Sequence, residues 1–283
     1  MANTLHMGYV GGVTIGGVQY FMTGSSINPQ QSVEAPDLVA GSEMRRGWNY
    51  SKVDPSGNVT GPLHENATSL WDIAFDRTIE LDHMTNSVDV EIAYYQGGGW
   101  AFSDCVINSL AISATAGEVV NFTADFASNK LVTASAAPTA VACAKLMTWD
   151  RCTFSLPAFS GLIDNLQSIN FTINNNVQKL FAIQGTINTT SGLYPVDLPC
   201  GVREITGTIS AYAEVPIEQI VAGGNAGADA WGLYSDNAAV PVVFSVDPLF
   251  TVNFNSVFHR PTGTGSTGPA VYTIGFTAVC SAT

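Results

Sequence analysis

Four carboxylates close together in the chain are the first residues that could do chemistry: Glu80, Asp82, Asp89 and Glu91. Each alternates with apolar neighbours, Ile79 and Leu81 and then Val88, Val90 and Ile92, so pairing of Thr78–Asp82 with Ser87–Tyr95 as a hairpin would put all four on one face. Paired carboxylates can serve as the acid and base of a glycoside hydrolase or as calcium ligands. The same alternation also gives ordinary solvent-facing acids on half-buried strands, which is the simpler reading. Gly263-Thr-Gly-Ser-Thr-Gly268 has the spacing of a dinucleotide-binding loop, but that loop must open a helix. Here the sequel Pro269-Ala-Val-Tyr-Thr-Ile-Gly-Phe276 alternates like a strand, so the glycines read as a hairpin tip. His6, His64, His83 and His259 lack metal-ligand spacing. Five cysteines, Cys105, Cys143, Cys152, Cys200 and Cys280, are odd in number, widely spaced and without a C-x-x-C, which argues against zinc. They read as reduced, buried or half-buried thiols, or else as disulfide partners between subunits. No catalytic residue, metal ligand or cofactor is assigned.

The elements that would carry these groups are mostly strands. Val106–Ala114 and Val119–Phe126, joined by Thr115-Ala-Gly-Glu118, organise the chain. In the first, Val106, Leu110 and Ile112 share a face; in the second, Val120, Phe122, Ala124 and Phe126 alternate with Asn121, Thr123 and Asp125. A period of two in β-branched and aromatic segments predicts half-buried antiparallel strands. Val10–Ile15 and Val18–Met22 read as a hairpin turning at Gly16-Gly17, and Ser25–Val59 as an irregular excursion holding one or two strands. Leu63, Ala67, Leu70, Trp71, Ala74 and Phe75 form one apolar stripe and predict a helix over Leu63–Arg77, with Pro62 in its first turn. Further strands are expected at Cys152–Leu156, Ser168–Asn174, Gln178–Ile187, Glu204–Glu214, Val242–Val246, Leu249–Phe258 and Ala270–Val279, with turns at Asn174–Asn176 and Gly201. The small-residue stretch Lys130–Lys145 is the natural seam, dividing a region 1–129 from a region 146–283.

The composition suits an ordered β protein with a polar, weakly charged surface: 46 % of the 283 residues are hydrophobic and 12 % charged. The net charge is −13, and neither Thr78–Asn129 nor Glu204–His259 contains Lys or Arg. Affinity for DNA comes mostly from Lys and Arg on phosphates, so tight DNA binding is not expected. The simplest reading of these acids is a solvated face. Met1–Gly12 has neither the basic start nor the apolar run of a secretory signal, and no stretch reaches the length of a membrane span.

The run Cys105-Val-Ile-Asn-Ser-Leu-Ala-Ile-Ser113, followed by Ala116-Gly-Glu118 and Asn121-Phe-Thr-Ala-Asp-Phe126, resembles the tail tube proteins of long-tailed bacteriophages. Gly57-Asn-Val-Thr-Gly-Pro-Leu63 leading to Leu70-Trp-Asp-Ile-Ala-Phe-Asp-Arg77, Ile169–Val177 and Gly201–Tyr212 are similar to the same family, over roughly residues 50–215. The resemblance implies a mainly β, tail-tube-type sandwich or barrel with one flanking helix. Ile205-Thr-Gly-Thr-Ile set beside Val59-Thr-Gly-Pro-Leu suggests two tandem halves of that type; otherwise the C-terminal region is an elaboration.

The function so implied is that of a structural virion protein with no active site. Copies would assemble in the host cytoplasm into hexameric rings, or trimeric pseudo-hexameric ones, stacked into a tube whose lumen conducts DNA without binding it tightly. The partners implied are other copies of the chain, a tape measure protein, tail terminator and tail tip proteins, and in some tails a sheath, with no membrane. Glu118, Asn121 and Asp125 are the candidate lumen-facing residues, and Arg45, Arg46 and Trp48 the candidate inter-ring contacts. The rival reading is a β-sandwich carbohydrate-binding or adhesin module, with Tyr94, Tyr95 and Trp100 as an aromatic platform.

Overall fold

Two adjacent glycines, Gly16 and Gly17, have φ of 57° and 83°, the left-handed pair a tight hairpin turn needs, and they join β1 (Gly11–Ile15) to β2 (Val18–Met22). The computed structural model describes residues 11–34, 49–75, 87–94, 99–130, 133–135, 144–155, 166–182, 194–213, 239–259, 262–264 and 270–280. The other strands are β3 (Gly24–Glu34), β4 (Asn49–Pro62), β5 (Val88–Tyr94), β6 (Gly99–Thr115), β7 (Asn121–Ser128), β8 (Thr133–Ser135), β9 (Cys152–Ser155), β10 (Leu166–Asn174), β11 (Glu204–Ala213), β12 (Val240–Val246), β13 (Phe250–Phe258), β14 (Thr262–Thr264) and β15 (Ala270–Cys280). All described pairings are antiparallel, and the helix α1 (Thr68–Phe75) lies between β4 and β5 in the chain.

One broad layer runs β3-β4-β7-β6-β10-β11-β15, with β14 on the outer edge of β15. The strand β6 is 17 residues long, enough to serve two layers. Its N-terminal part pairs with β5 and β8, and its C-terminal part with β7 and β10. Likewise β15 pairs with β11 along most of its length and with β13 near its end. The groups β2-β1-β5 and β13-β12-β9 fold back over the inner face of the broad layer, and the result is a sandwich.

Aromatic rings join the layers. Tyr20 meets Phe122 at 5.3 Å between centroids, Phe102 meets Phe126 at 5.0 Å, and Phe171 meets both Phe244 and Phe254 at 5.5 Å. Trp71 of α1 stacks on Phe250 at 4.4 Å and tilts against Phe171, so the helix packs on the same core. Each such ring is worth about 2–3 kcal/mol when taken out of water.

Several expectations are corrected. The helix is shorter than Leu63–Arg77, because Pro62 is still in β4 and Leu63 is held like a strand residue. Its N–H donates to Val120 O at 2.8 Å and its carbonyl accepts from Met147 N at 2.9 Å. Leu63, Ala67, Leu70, Trp71 and Ala74 are buried as expected, but the segment before Thr68 buries its share without being helical. Of the expected carboxylate hairpin, β5 is flanked by β1 on one edge and β6 on the other, and Thr78–Asp82 lies outside the described residues. The described parts of Ser25–Val59 hold two strands, β3 paired with β4, within the one or two expected, and their pairing is regular over most of its length. The described part of Gln178–Ile187 is no strand; the chain passes Asn174–Asn176 without reversing and returns through the bridges Val177–Cys200 and Leu180–Asp197. The seam Lys130–Lys145 contains β8. As expected, the Gly263–Gly268 run is followed by β15, a strand and not the helix a dinucleotide site needs.

Candidate assembly face

The outer surface of the broad layer is built by strand alternation alone. Antiparallel register places four rows of side chains across it. One row is Asn58, Asp125, Ser109, Asn174 and Glu204; the next is Thr60, Thr123, Ala111, Thr172, Thr206 and Thr277. The third is Pro62, Asn121, Ser113, Asn170, Thr208 and Gly275, and the fourth Thr115, Ser168, Ser210 and Thr273. No row contains Lys or Arg, and Asp125 and Glu204 are the only ionisable residues in them. The alternate positions face the core, for instance Val59, Ala124, Leu110, Ile173 and Ile205.

Short polar side chains on this face bond to one another across strands. Thr60 and Thr123 hydroxyls are 3.1 Å apart, and those of Ser210 and Thr273 are 2.9 Å apart. Asp125 ties three strands, accepting from Ser109 Oγ at 2.5 Å and from the Asn58 amide. Past that row, Val106 and Ala127 turn to the same side and are covered by Leu198, with Val177 and Cys200 packed against them. There Lys179 is paired with Asp54. The polar face thus ends at an apolar flap made by the stretch between β10 and β11.

Val106 is on this side because β6 contains two bulges. Asp104, with φ of 50°, offsets the pairing between Phe102 and Cys105, and Asn108 offsets it between Ile107 and Ser109. Each bulge flips the alternation, so Cys105 and Ile107 face the core together with Leu110 and Ile112, and Val106 does not. The expected sharing of one face by Val106, Leu110 and Ile112 is therefore corrected. Asp89 helps hold the first bulge by accepting the Asp104 N–H at 3.3 Å, while Lys130 pairs with the Asp104 carboxylate at 3.0 Å. At the second bulge, buried Asn175 donates to Ile107 O at 2.9 Å and Ala74 O at 3.0 Å and accepts from Arg203 Nε at 3.0 Å.

Of the candidate residues, Asn121 and Asp125 lie in the rows, and Glu118 is exposed in the turn beyond Thr115. The partners on β4, β10, β11 and β15, Glu204 among them, escaped the sequence reading because only register brings them alongside β6 and β7. Arg45, Arg46 and Trp48 lie outside the described residues, as do Glu80, Asp82 and Cys143. Cys105 is fully buried and burial pushes its thiol up to about 12; Cys152, half-buried, is pushed by burial up to about 11. Cys105 and Cys152 are free thiols. Trp100 is exposed, while Tyr95 and the side chain of Tyr94 lie outside what the structure describes. Among the described residues, no three His, Cys, Asp or Glu side chains are grouped as a metal site requires, and no helix is long and apolar enough to cross a membrane.

Sandwich and face together define a β-rich protein whose distinguishing feature is a broad sheet surface of small polar side chains. The family model described as phage tail tube protein matches residues 4–278, and the chain belongs to that family. It is a structural component of a phage tail and hence of the virion. Among curated proteins no match is found.

Proposed function

We propose that this protein is the repeating subunit of the tail tube, and that its copies join edge to edge into rings stacked around a lumen. The polar face of β4-β7-β6-β10-β11-β15 turns inward and lines the path of the genome. The observation that supports this most is the chemistry of the four rows, hydroxyls and amides with two carboxylates and no base. A surface without Lys or Arg offers phosphates no counter-charge and releases no counterions on contact, so DNA slides over it without adhering. Closure of the sheet into a barrel also removes open strand edges that would otherwise aggregate. Arg45, Arg46 and Trp48, between β3 and β4 in the chain, are proposed to touch the next ring. Tape measure, terminator, tip and any sheath proteins are the proposed neighbours, with assembly in the host cytoplasm.

The test is microscopy of the purified full chain together with a change of sign on the face. End-on views should show a central hole. Thr123→Lys and Thr206→Lys should leave assembly intact and make the tube retain double-stranded DNA in a salt-sensitive way. Solid particles, or lysine variants that bind DNA no better than the parent, would count against the reading.

A further inference from the structure

The strand order repeats. Followed through hydrogen-bonded neighbours, one path is β1-β5-β6-β7-β4-β3 and another is β9-β12-β13-β15-β11-β10. Both are visited in the same chain order, β1, β3, β4, β5, β6, β7 against β9, β10, β11, β12, β13, β15. The short β14 continues the β13–β15 hairpin past the His259 N–H to Gly275 O bond of 2.8 Å, as the C-terminal half of β6 continues alongside β7. The correspondence reaches residues: Gly61 is opposite Phe122 where Gly207 is opposite Phe276, each two places after an apolar core residue, Val59 or Ile205.

The two paths meet at one seam inside the subunit, where β10, the counterpart of β3, covers the edge of β6, the counterpart of β13 and β14. At the outer ends, β3 is paired only with β4, and β14 only with β15, among the described residues. We propose that the chain is two copies of one unit, and that the open edge of β3 in one subunit receives β14 of the next, repeating the β10-on-β6 seam between subunits. This rests on the tube reading above and names its ring contact. Strand directions allow it, since β3-β4-β7-β6-β10-β11-β15-β14 alternate throughout and an even number of alternating strands joins copy to copy antiparallel. A ring of six units then needs three chains.

Backbone chemistry identifies the amides involved. Pro29 is opposite Pro55 in an uninterrupted stretch of the β3–β4 ladder. Neither has an N–H, so this is a position whose donors point away from the partner strand. The amide of Ile27 therefore points to the outer edge of β3, and Pro29 supplies none. With Gly24 and Thr172 matched through their partners Thr60 and Thr206, Ile27 corresponds to Asn175. The Asn175 N–H already makes the seam bond, to Asn108 O at 2.7 Å.

Hydrogen exchange of the full chain, free and assembled, tests this, together with Ile27→Pro, which removes one outward donor and leaves the β3–β4 ladder intact. Assembly should slow exchange at least tenfold in both 24–28 and 262–264. Ile27→Pro should remain a monomer with the parent's circular dichroism, and end-on averages of the parent should show threefold symmetry. Tubes whose two segments exchange as fast as in the monomer, or normal tubes from Ile27→Pro, would overturn the contact and leave the tube function standing. Should Ile27→Pro not fold, the exchange comparison on the parent decides alone. A parent chain that forms neither ring nor tube would overturn the tube reading and this contact with it.

Discussion

The ring of Phe276 occupies the space above Gly207 on the neighbouring strand: a Cβ added to that glycine would lie 2.2 Å from Phe276 Cζ and 2.5 Å from Asn170 O. Gly57 and Phe126 stand in the same relation, at 2.4 Å. A glycine in a strand weakens it by itself, but here it admits an aromatic ring over the sheet and lets the core close.

Gly207→Ala must therefore displace both a ring and a backbone carbonyl. Overpacking of this kind costs about 1–3 kcal/mol. A lowering of Tm by roughly 3–9 °C is expected for a chain of this size. Gly24→Ala, where nothing lies within 4 Å of the added atom, should leave the Tm of the monomer nearly unchanged.

The Asp125 carboxylate ties β7 to both of its neighbours, through Ser109 and Asn58. Asp125→Ala should cost about 1–3 kcal/mol of stability, because hydrogen bonds to charged groups are worth more than neutral ones. A double-mutant cycle with Ser109→Ala, read by urea unfolding, should show coupling; strict additivity would mean that the carboxylate acts alone.

His64 is buried between β2 and the segment leading into α1. Its Nδ1 accepts the Asn66 N–H at 3.2 Å, so the ring proton sits on Nε2 and is donated to Gln19 O at 2.8 Å. Burial holds its pKa below the ordinary 6.5, against a smaller opposing effect from the Gln19 hydrogen bond and the Glu65 charge. The unfolded chain therefore binds a proton that the folded chain refuses. Stability is full above about pH 6.5 and falls as the pH drops through the window down to the lowered value, with a slope of at most about 1.4 kcal/mol per unit. His64→Gln should flatten that part of the stability profile between pH 7.5 and 5; an unchanged slope would exclude His64 as its source.

Cys105, buried and raised to about 12, should resist alkylation at pH 8 in the native protein and react fully in denaturant. Cys152, raised to about 11 and only half-buried, should react slowly. Rapid native labelling of Cys105, located by mass spectrometry, would show that the β5–β6 region opens readily.

Much of the fold was legible in local pattern. The hairpin at Gly16-Gly17, the alternation Val120–Phe126 and the strands β9 to β13 follow from side-chain period and turn residues, which act over a few positions. The Val106 face was misread because a bulge is invisible to periodicity. Asn108 adds one residue to β6, and the structure tolerates it because Asn175, 67 positions further on, supplies a donor for the Ile107 carbonyl. The helix start was misread because Leu63 finds its partners in Val120 and Met147, beyond the reach of any local rule.

The chain by itself determined that this is a β protein with small polar residues alternating against an apolar core, few charges and no Lys or Arg in Thr78–Asn129 or Glu204–His259. Those properties depend on residue type and spacing alone. Only the tertiary structure decided that Thr60, Thr123, Thr172, Thr206 and Thr277 share one row, and that two halves of the chain follow one strand order. Register between distant strands comes from packing Phe122, Phe171 and Phe276 into a single core, and no segment carries that information until the others are in place.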